Sequence, residues 1–104
     1  MFARVTTFEG APERIEEGLR IFREEVIPWL REATDFRGFV ALVDRDSGRS
    51  LGITFWASEE AMAADATRGG ALRDEVAASV QTTMTGLDYY EVAVVESLAL
   101  DEVG

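Results

Sequence analysis

A hairpin signal over residues 36–58 constrains the fold of this chain more than any other stretch. Two apolar runs, at residues 39–43 and 51–56, flank a polar segment that contains Gly48. Glycine suits the positive φ that a tight turn or bulge requires. Both faces of the two predicted strands are apolar, whereas a sheet with one face in water alternates apolar and polar residues. We therefore expect this sheet to be covered on both faces.

Upstream of the hairpin, the pattern predicts one strand and one long helix. The strand is expected at residues 2–8 and the helix from Pro12 to about Thr34, because apolar residues recur there every three to four positions. Proline is favourable at the first helical position. Inside a helix it cannot donate the backbone hydrogen bond, so a kink is expected at Pro28.

Downstream of the hairpin, the pattern predicts a helix pair and a final strand. Ser58 is a suitable N-cap for a short helix over residues 59–67, which is expected to end at the glycine pair 69–70. A second helix would follow and close at Gly86. The final strand is expected at about 88–97, again apolar on both faces.

The order strand, helix, strand, strand, helix pair, strand predicts an α+β fold. It is the ferredoxin-like βαββαβ pattern with an antiparallel sheet and all helices on one face. The 104 residues are expected to form a single domain, residues 1–104. Because the helices cover one face only, the apolar second face needs another cover. We expect a homodimer that packs the open sheet faces of two copies together.

The composition excludes several kinds of chemistry. The chain contains no His, Cys, Lys or Asn, which removes the usual zinc sites, thiolate nucleophiles, disulfides and Ser–His–Asp arrangements. Asp44, Asp46 and Gly48 resemble the start of a calcium loop, but Phe55 stands where the bidentate Glu belongs. We therefore expect no metal site, and acid–base chemistry must come from Asp, Glu, Tyr or a bound cofactor.

The charge balance bears on partners and location. A net charge of −10 argues against nucleic acid and against an anionic membrane surface, both of which require a basic patch. No apolar run approaches the roughly 20 residues of a spanning helix. Strand-like sequence starts at Phe2, which leaves no room for a signal peptide. A cytoplasmic location is the resulting expectation.

Trp56, at the end of the second hairpin strand, is the leading candidate for a functional side chain. A large aromatic residue there either closes the end of the core or walls a ligand pocket with its indole N–H free to orient a polar group. In the second interpretation, Phe22 and Phe55 would line the same cavity. Tyr89 and Tyr90 are adjacent and so are predicted to face opposite sides of the last strand.

Two segments resemble a known family. Residues 53–62, ITFWASEEAM, and residues 36–48, which end in VDRDSG, resemble the antibiotic biosynthesis monooxygenase-like domains. This resemblance covers roughly the whole chain and implies a dimeric α/β barrel. It also implies that Trp56 is the pocket-lining tryptophan. The first-strand asparagine that several active members use has no counterpart, since Thr6 and Thr7 occupy that region.

Two candidate functions follow, the first implied by the resemblance and the second an alternative from another class. The first is a cofactor-independent oxidation of a small aromatic substrate, in which Trp56 orients the substrate and a Tyr or the Thr6/Thr7 region hydrogen-bonds a phenolate. Haem degradation is not expected, because that branch relies on an axial histidine. The second is a non-catalytic small-ligand-binding or interaction module with Trp56 in the core. A cavity of at least about 300 Å³ beside Trp56 would favour the first.

Overall fold

The strands form one four-stranded antiparallel sheet. The structure, a computed structural model, describes residues 1–79 and 81–96. The strands run in the spatial order β2-β3-β1-β4 and span β1 (Phe2–Glu9), β2 (Phe36–Val43), β3 (Arg49–Trp56) and β4 (Thr83–Glu91). This order confirms the ferredoxin-like α+β fold.

The first helical segment changes pitch along its length. A 3₁₀ turn (Pro12–Arg14) leads into α1 (Ile15–Ile21), then a π-helical segment (Phe22–Val26) and α2 (Ile27–Leu30). The N–H of Ile27 donates to the carbonyl of Phe22, five residues back. The widened turn lies directly before Pro28, whose ring would clash with the carbonyl of residue 24 in a regular helix. The predicted irregularity is therefore present, but the helix ends at Leu30 rather than near Thr34.

The predicted helix pair is wrong, because a single helix, α3 (Glu59–Ser79), runs through the glycine pair. Ser58 caps it as expected: its Oγ accepts the Ala61 N–H at 3.1 Å. Each interior glycine costs about 1 kcal/mol relative to alanine. That cost is tolerable in an alanine-rich helix that packs against a sheet and contains no proline.

The predicted start and end of the last strand are also wrong. Helix α3 ends where Gln81 adopts a positive φ of 56° and the Thr82 N–H donates to the Ala77 carbonyl at 2.9 Å. Strand β4 then begins at Thr83, so Gly86 lies within a strand and does not close a helix. β4 stops at Glu91 because its partner β1 begins at the opposite residue, Phe2. The predicted last residue, 97, lies outside the described residues, but residues 92–96 are described and do not belong to a strand.

The hairpin turn is stabilised by the side chain of Asp44. Its Oδ1 accepts the backbone N–H groups of Asp46 and Ser47 at 3.0 and 3.3 Å. These hydrogen bonds stabilise the ionised carboxylate and hold the pKa of Asp44 below its ordinary value, with the largest contribution from the Asp46 N–H. Gly48 has φ +83°, and a Cβ there would lie 1.9 Å from the Gly10 carbonyl oxygen. The prediction of a positive-φ glycine is confirmed.

The strand registers assign each side chain to one of two sheet faces. Arg4 lies opposite Thr54, and Thr6 lies opposite Gly52, on the face that the helices cover. The open face carries Val5, Val40, Leu42, Ile53, Phe55 and Tyr90. In the single chain, the side chains of Leu42 and Tyr90 on that face are 49% and 56% exposed. The two-sided apolar pattern therefore corresponds to one covered face and one open face.

The main core lies between the helices and the covered face. It is formed by Trp56, Ile21, Val26, Leu30 and Met62, with Phe36 and Phe39 packed at its edge. Within residues 1–79 and 81–96, no helix combines the length and the apolar character needed to cross a membrane.

Candidate binding cleft

A cleft lies between the first helical segment and the covered sheet face. It has two compartments that share Phe8, Phe22, Phe39 and Gly52 as lining residues. The outer cavity lies toward the hairpin turn and is also lined by Ile15, Leu19, Val43 and Ser50. The inner cavity lies toward the middle of the sheet and is also lined by Arg4, Thr6, Thr54, Val26 and Trp29.

Three phenylalanine rings separate the two cavities. The rings of Phe22 and Phe39 are stacked, with centroids 5.6 Å apart and an interplanar angle of 17°. The ring of Phe8 meets that of Phe22 edge to face at 6.1 Å and 69°. Phe22 is the first residue of the π-helical segment, so the change in helix pitch sets where this ring lies. Flat, apolar walls of this kind suit an aromatic ligand.

The cleft is narrow in this structure. The centre of a water-sized sphere can move through about 50 Å³ in the outer cavity and about 30 Å³ in the inner cavity. Drug-sized ligands commonly occupy clefts of about 300–1,000 Å³. The free space in each cavity is therefore smaller than the space that such ligands occupy.

A buried ion pair lies at the polar end of the inner cavity. Arg4 Nη2 lies 2.7 Å from Asp65 Oδ2, and the two side chains are 2% and 1% exposed. Arg4 Nη1 also donates to the Met62 carbonyl at 3.5 Å. The guanidinium carbon lies 5.7 Å from the Trp56 ring centroid, within range of a cation–π interaction. These contacts hold the guanidinium against α3 while the side chain still lines the cavity.

One nitrogen of the Arg4 guanidinium, Nε, makes no hydrogen bond among the described residues although it is buried. Leaving a buried donor unsatisfied costs about 1–3 kcal/mol, and more for a charged group. An oxygen acceptor that reached Nε from the inner cavity, which Arg4 lines, would remove this cost.

The indole of Trp56 is a core group that orients a threonine. The side chain is 0% exposed, and its Nε1 donates to Thr54 Oγ1 at 2.9 Å. Because Thr54 Oγ1 accepts this hydrogen bond, the threonine hydroxyl retains its own hydrogen for donation to a further acceptor. Trp56 thus contributes to the cleft through Thr54 rather than as a wall.

The structure divides the predicted site residues into three groups. Phe22 and Thr6 line the inner cavity. Trp56 lies next to it, behind Thr54 and Arg4. Phe55 lies on the open sheet face, because neighbouring residues of a strand point to opposite sides. It therefore does not share a cavity with Phe22.

Sequence reasoning missed Arg4 and Asp65. The two residues are 61 positions apart, and each looks like an ordinary solvent-facing charge in its own segment. The available signal was polar residues at the strand positions that face the helices: Arg4, Thr6 and Thr54.

Tyr89 and Tyr90 lie opposite Arg4 and Ala3 in the β1–β4 register, so their predicted separation onto two faces is confirmed.

Comparison of the sequence with known proteins identifies distant, uncharacterized relatives. No family model matches the chain. Two uncharacterized proteins of Mycobacterium tuberculosis are 38% and 35% identical over 77 residues, which is 74% of this chain. The match covers 33% and 34% of those proteins. The chain thus spans about a third of the length of the curated relatives it matches.

Solved structures with the same fold include two monooxygenases. A candidate antibiotic biosynthesis monooxygenase of Deinococcus radiodurans has a TM-score of 0.70 at 16% identity, covering 94% of this chain and 98% of that one. A monooxygenase of Streptomyces coelicolor, in complex with nanaomycin D, has a TM-score of 0.66 at 23% identity, with 92% of each chain covered. The predicted resemblance is therefore confirmed in the fold, which is that of the antibiotic biosynthesis monooxygenases.

Two further solved structures share this fold. A haem-degrading protein of M. tuberculosis with two haems in its active site has a TM-score of 0.69 at 22% identity, covering 93% of this chain and 100% of that one. A dimeric ferredoxin-like protein from an uncultured marine organism has a TM-score of 0.65 at 12% identity, covering 94% and 100%. Identities of 12–23% establish the shared fold alone.

Proposed function

We propose that the cleft binds a small planar aromatic molecule and that the protein oxidises it with molecular oxygen and no cofactor. The observation that carries this proposal is the aromatic wall of Phe8, Phe22 and Phe39 beside a buried polar end. The fold shared with monooxygenases, one of them bound to nanaomycin D, supports the same reading. A cytoplasmic location and the exclusion of nucleic acid and membrane partners are part of this proposal.

The proposed reaction needs only an electron-rich substrate and oxygen. A ring-activated CH₂ group next to a phenolate is converted to a ketone. One oxygen atom forms the new carbonyl group, and the other leaves as water with the two hydrogens. The substrate supplies all four electrons that reduce O₂. The protein holds the phenolate in its ionised form and keeps bulk water away from the reacting carbon.

The test measures oxygen uptake with 1,8-dihydroxy-9-anthrone as the probe. The wild-type protein is expected to raise the rate above the buffer rate, and Gly52→Leu is expected to lower probe affinity by about tenfold or more, or ~1.4 kcal/mol. Gly52 lies in the floor of both cavities, where a leucine side chain would occupy the space. Gly52→Ala is the matched control, because its Cβ would lie 3.5 Å from the Phe39 ring in ordinary contact.

A non-catalytic interaction module is the second candidate. The narrow cleft, with about 30 Å³ in the inner cavity, and the buried, hydrogen-bonded Trp56 favour it. In that case the wild-type protein would neither bind the probe nor raise oxygen uptake, and Gly52→Leu would behave like Gly52→Ala. Binding without oxygen uptake would support the cleft as a ligand site and would contradict the proposed oxidation activity.

We also propose that the open sheet face is the interface of a homodimer. Val5, Val40 and Ile53 lie side by side at its centre, with Leu42 and Tyr90 exposed near its edges. A contiguous apolar face of this kind is costly in water, and the shared fold includes a dimeric ferredoxin-like protein.

Placing a charge at the centre of this face is expected to convert the dimer to monomers. Ile53→Glu would bury an unpaired carboxylate in the interface, whereas Ala63→Glu adds the same charge at an exposed position of α3. Light scattering at micromolar concentration should show a dimer for the wild type and Ala63→Glu, and a monomer for Ile53→Glu. A monomeric wild type would contradict the proposed interface.

A further inference from the structure

We infer that the inner cavity is an oxyanion subsite, in which Arg4 Nε and the hydroxyl of Thr54 bind an anionic oxygen of the ligand. This inference rests on the proposed function of the cleft and assigns its substrate class: planar aromatic anions, such as phenolates or carboxylates. The juxtaposition that supports it is a buried, partly unsatisfied guanidinium beside threonine hydroxyls in an otherwise apolar cleft.

Two partners hold the guanidinium of Arg4, which is one of the residues that line the inner cavity. Asp65 and the Met62 carbonyl each accept one hydrogen bond from a terminal nitrogen, and Nε is the guanidinium nitrogen without a partner among the described residues. A hydrogen bond from a guanidinium to an anionic oxygen is roughly twice as strong as one between neutral groups. A ligand oxygen that reaches Nε is therefore expected to bind more tightly as an anion than as a neutral group.

Thr54 supplies a second donor in the same cavity. Its oxygen accepts the Trp56 indole N–H, so its hydroxyl hydrogen is available to a ligand. Thr6, which is also buried, lines the same wall. Trp56 and Asp65 are positioning residues in this arrangement, since they orient Thr54 and Arg4 from outside the cavity.

The net charge of the chain would not attract an anionic ligand. The chain carries a net charge of −10, which repels anions at long range, although salt at physiological concentration screens charges beyond about 8 Å. Any preference for an anion must therefore come from groups inside the cleft. Among the described residues that line the inner cavity, Arg4 is the buried cation.

The test compares two probes of the same shape and size, 2-naphthoate and 2-naphthamide, by isothermal titration calorimetry at physiological ionic strength. The wild-type protein is expected to bind the anion at least about tenfold more tightly than the amide. In Arg4→Met/Asp65→Leu, which removes both buried charges, the two affinities should become equal. Arg20→Met/Glu24→Leu is the matched control, because it removes an exposed ion pair and should retain the preference.

A second pair of variants tests Thr54 without altering the ion pair. Thr54→Val keeps the shape but removes the hydroxyl, and it should reduce the anion preference severalfold; Thr54→Ser should restore it. Equal binding of both probes by the wild type would overturn the inference while leaving the cleft as a ligand site. A preference that survives Arg4→Met/Asp65→Leu would also overturn it. If neither probe binds, the proposed function of the cleft fails together with the inference.

Discussion

Removal of either Arg4 or Asp65 alone is expected to lower the free energy of unfolding by about 3–5 kcal/mol. The side chains are 2% and 1% exposed, so the remaining charge would be left without its partner in a medium of low polarity. Domains of this size are stable by only about 5–15 kcal/mol. Arg4→Met and Asp65→Asn should therefore unfold at much lower urea concentration than the wild type, at a fixed protein concentration.

The double variant separates the charge from the packing. Arg4→Met/Asp65→Leu replaces both buried charges with apolar side chains of similar volume, and we expect its stability to return close to that of the wild type. The exposed pair Arg20–Glu24 provides the comparison, since breaking a surface pair changes stability by about 0–1 kcal/mol. Losses that small in Arg4→Met and Asp65→Asn would contradict the buried position of the pair.

Trp56→Ala is expected to destabilise the protein by about 3–5 kcal/mol. The side chain is 0% exposed and packs against Ile21, Val26, Leu30 and Met62, so truncation leaves a cavity that the neighbouring helices can fill only in part. Urea unfolding followed by far-UV circular dichroism measures the loss.

The same variant distinguishes the two interpretations of Trp56. If the tryptophan were the wall of an open pocket, its truncation would enlarge an existing space and cost little, about 1 kcal/mol or less. Trp29→Ala provides the comparison, because Trp29 is only half-buried and its truncation should cost less than that of Trp56. Equal losses for the two variants would contradict the central position of Trp56 in the core.

The ion pair and the tryptophan together define what is unusual in this cleft. The cleft between the helices and the sheet is mostly apolar, but one end is lined by Arg4. The carboxylate that pairs with Arg4 is that of Asp65 on α3. The Arg4 guanidinium also contacts the Trp56 ring, and that indole orients Thr54. The stability of the core and the polarity of the cleft therefore depend on the same few residues, which links the predictions on unfolding to those on binding.

Local errors in the predicted fold have local physical causes. The glycine pair in α3 predicts a break, but helix packing outweighs a cost of about 1 kcal/mol per glycine. The last strand was placed too late along the chain because apolar residues continue past Glu91. Its observed end depends on where β1 begins, at Phe2. The end of β4 is therefore set by pairing with β1, and the hydrophobic pattern of neither strand shows it.

The sequence by itself determined the order of the elements, the two-sided apolar hairpin and the Ser58 cap, because periodicity and capping depend on near neighbours in the chain. It also predicted Trp56 and Phe22 as candidate site residues. Only the tertiary structure decided that Arg4 meets Asp65, that Phe55 lies on the opposite face from Phe22, and that Trp56 is core. These facts depend on strand register and on how α3 lies across the sheet, which bring together residues 61 positions apart.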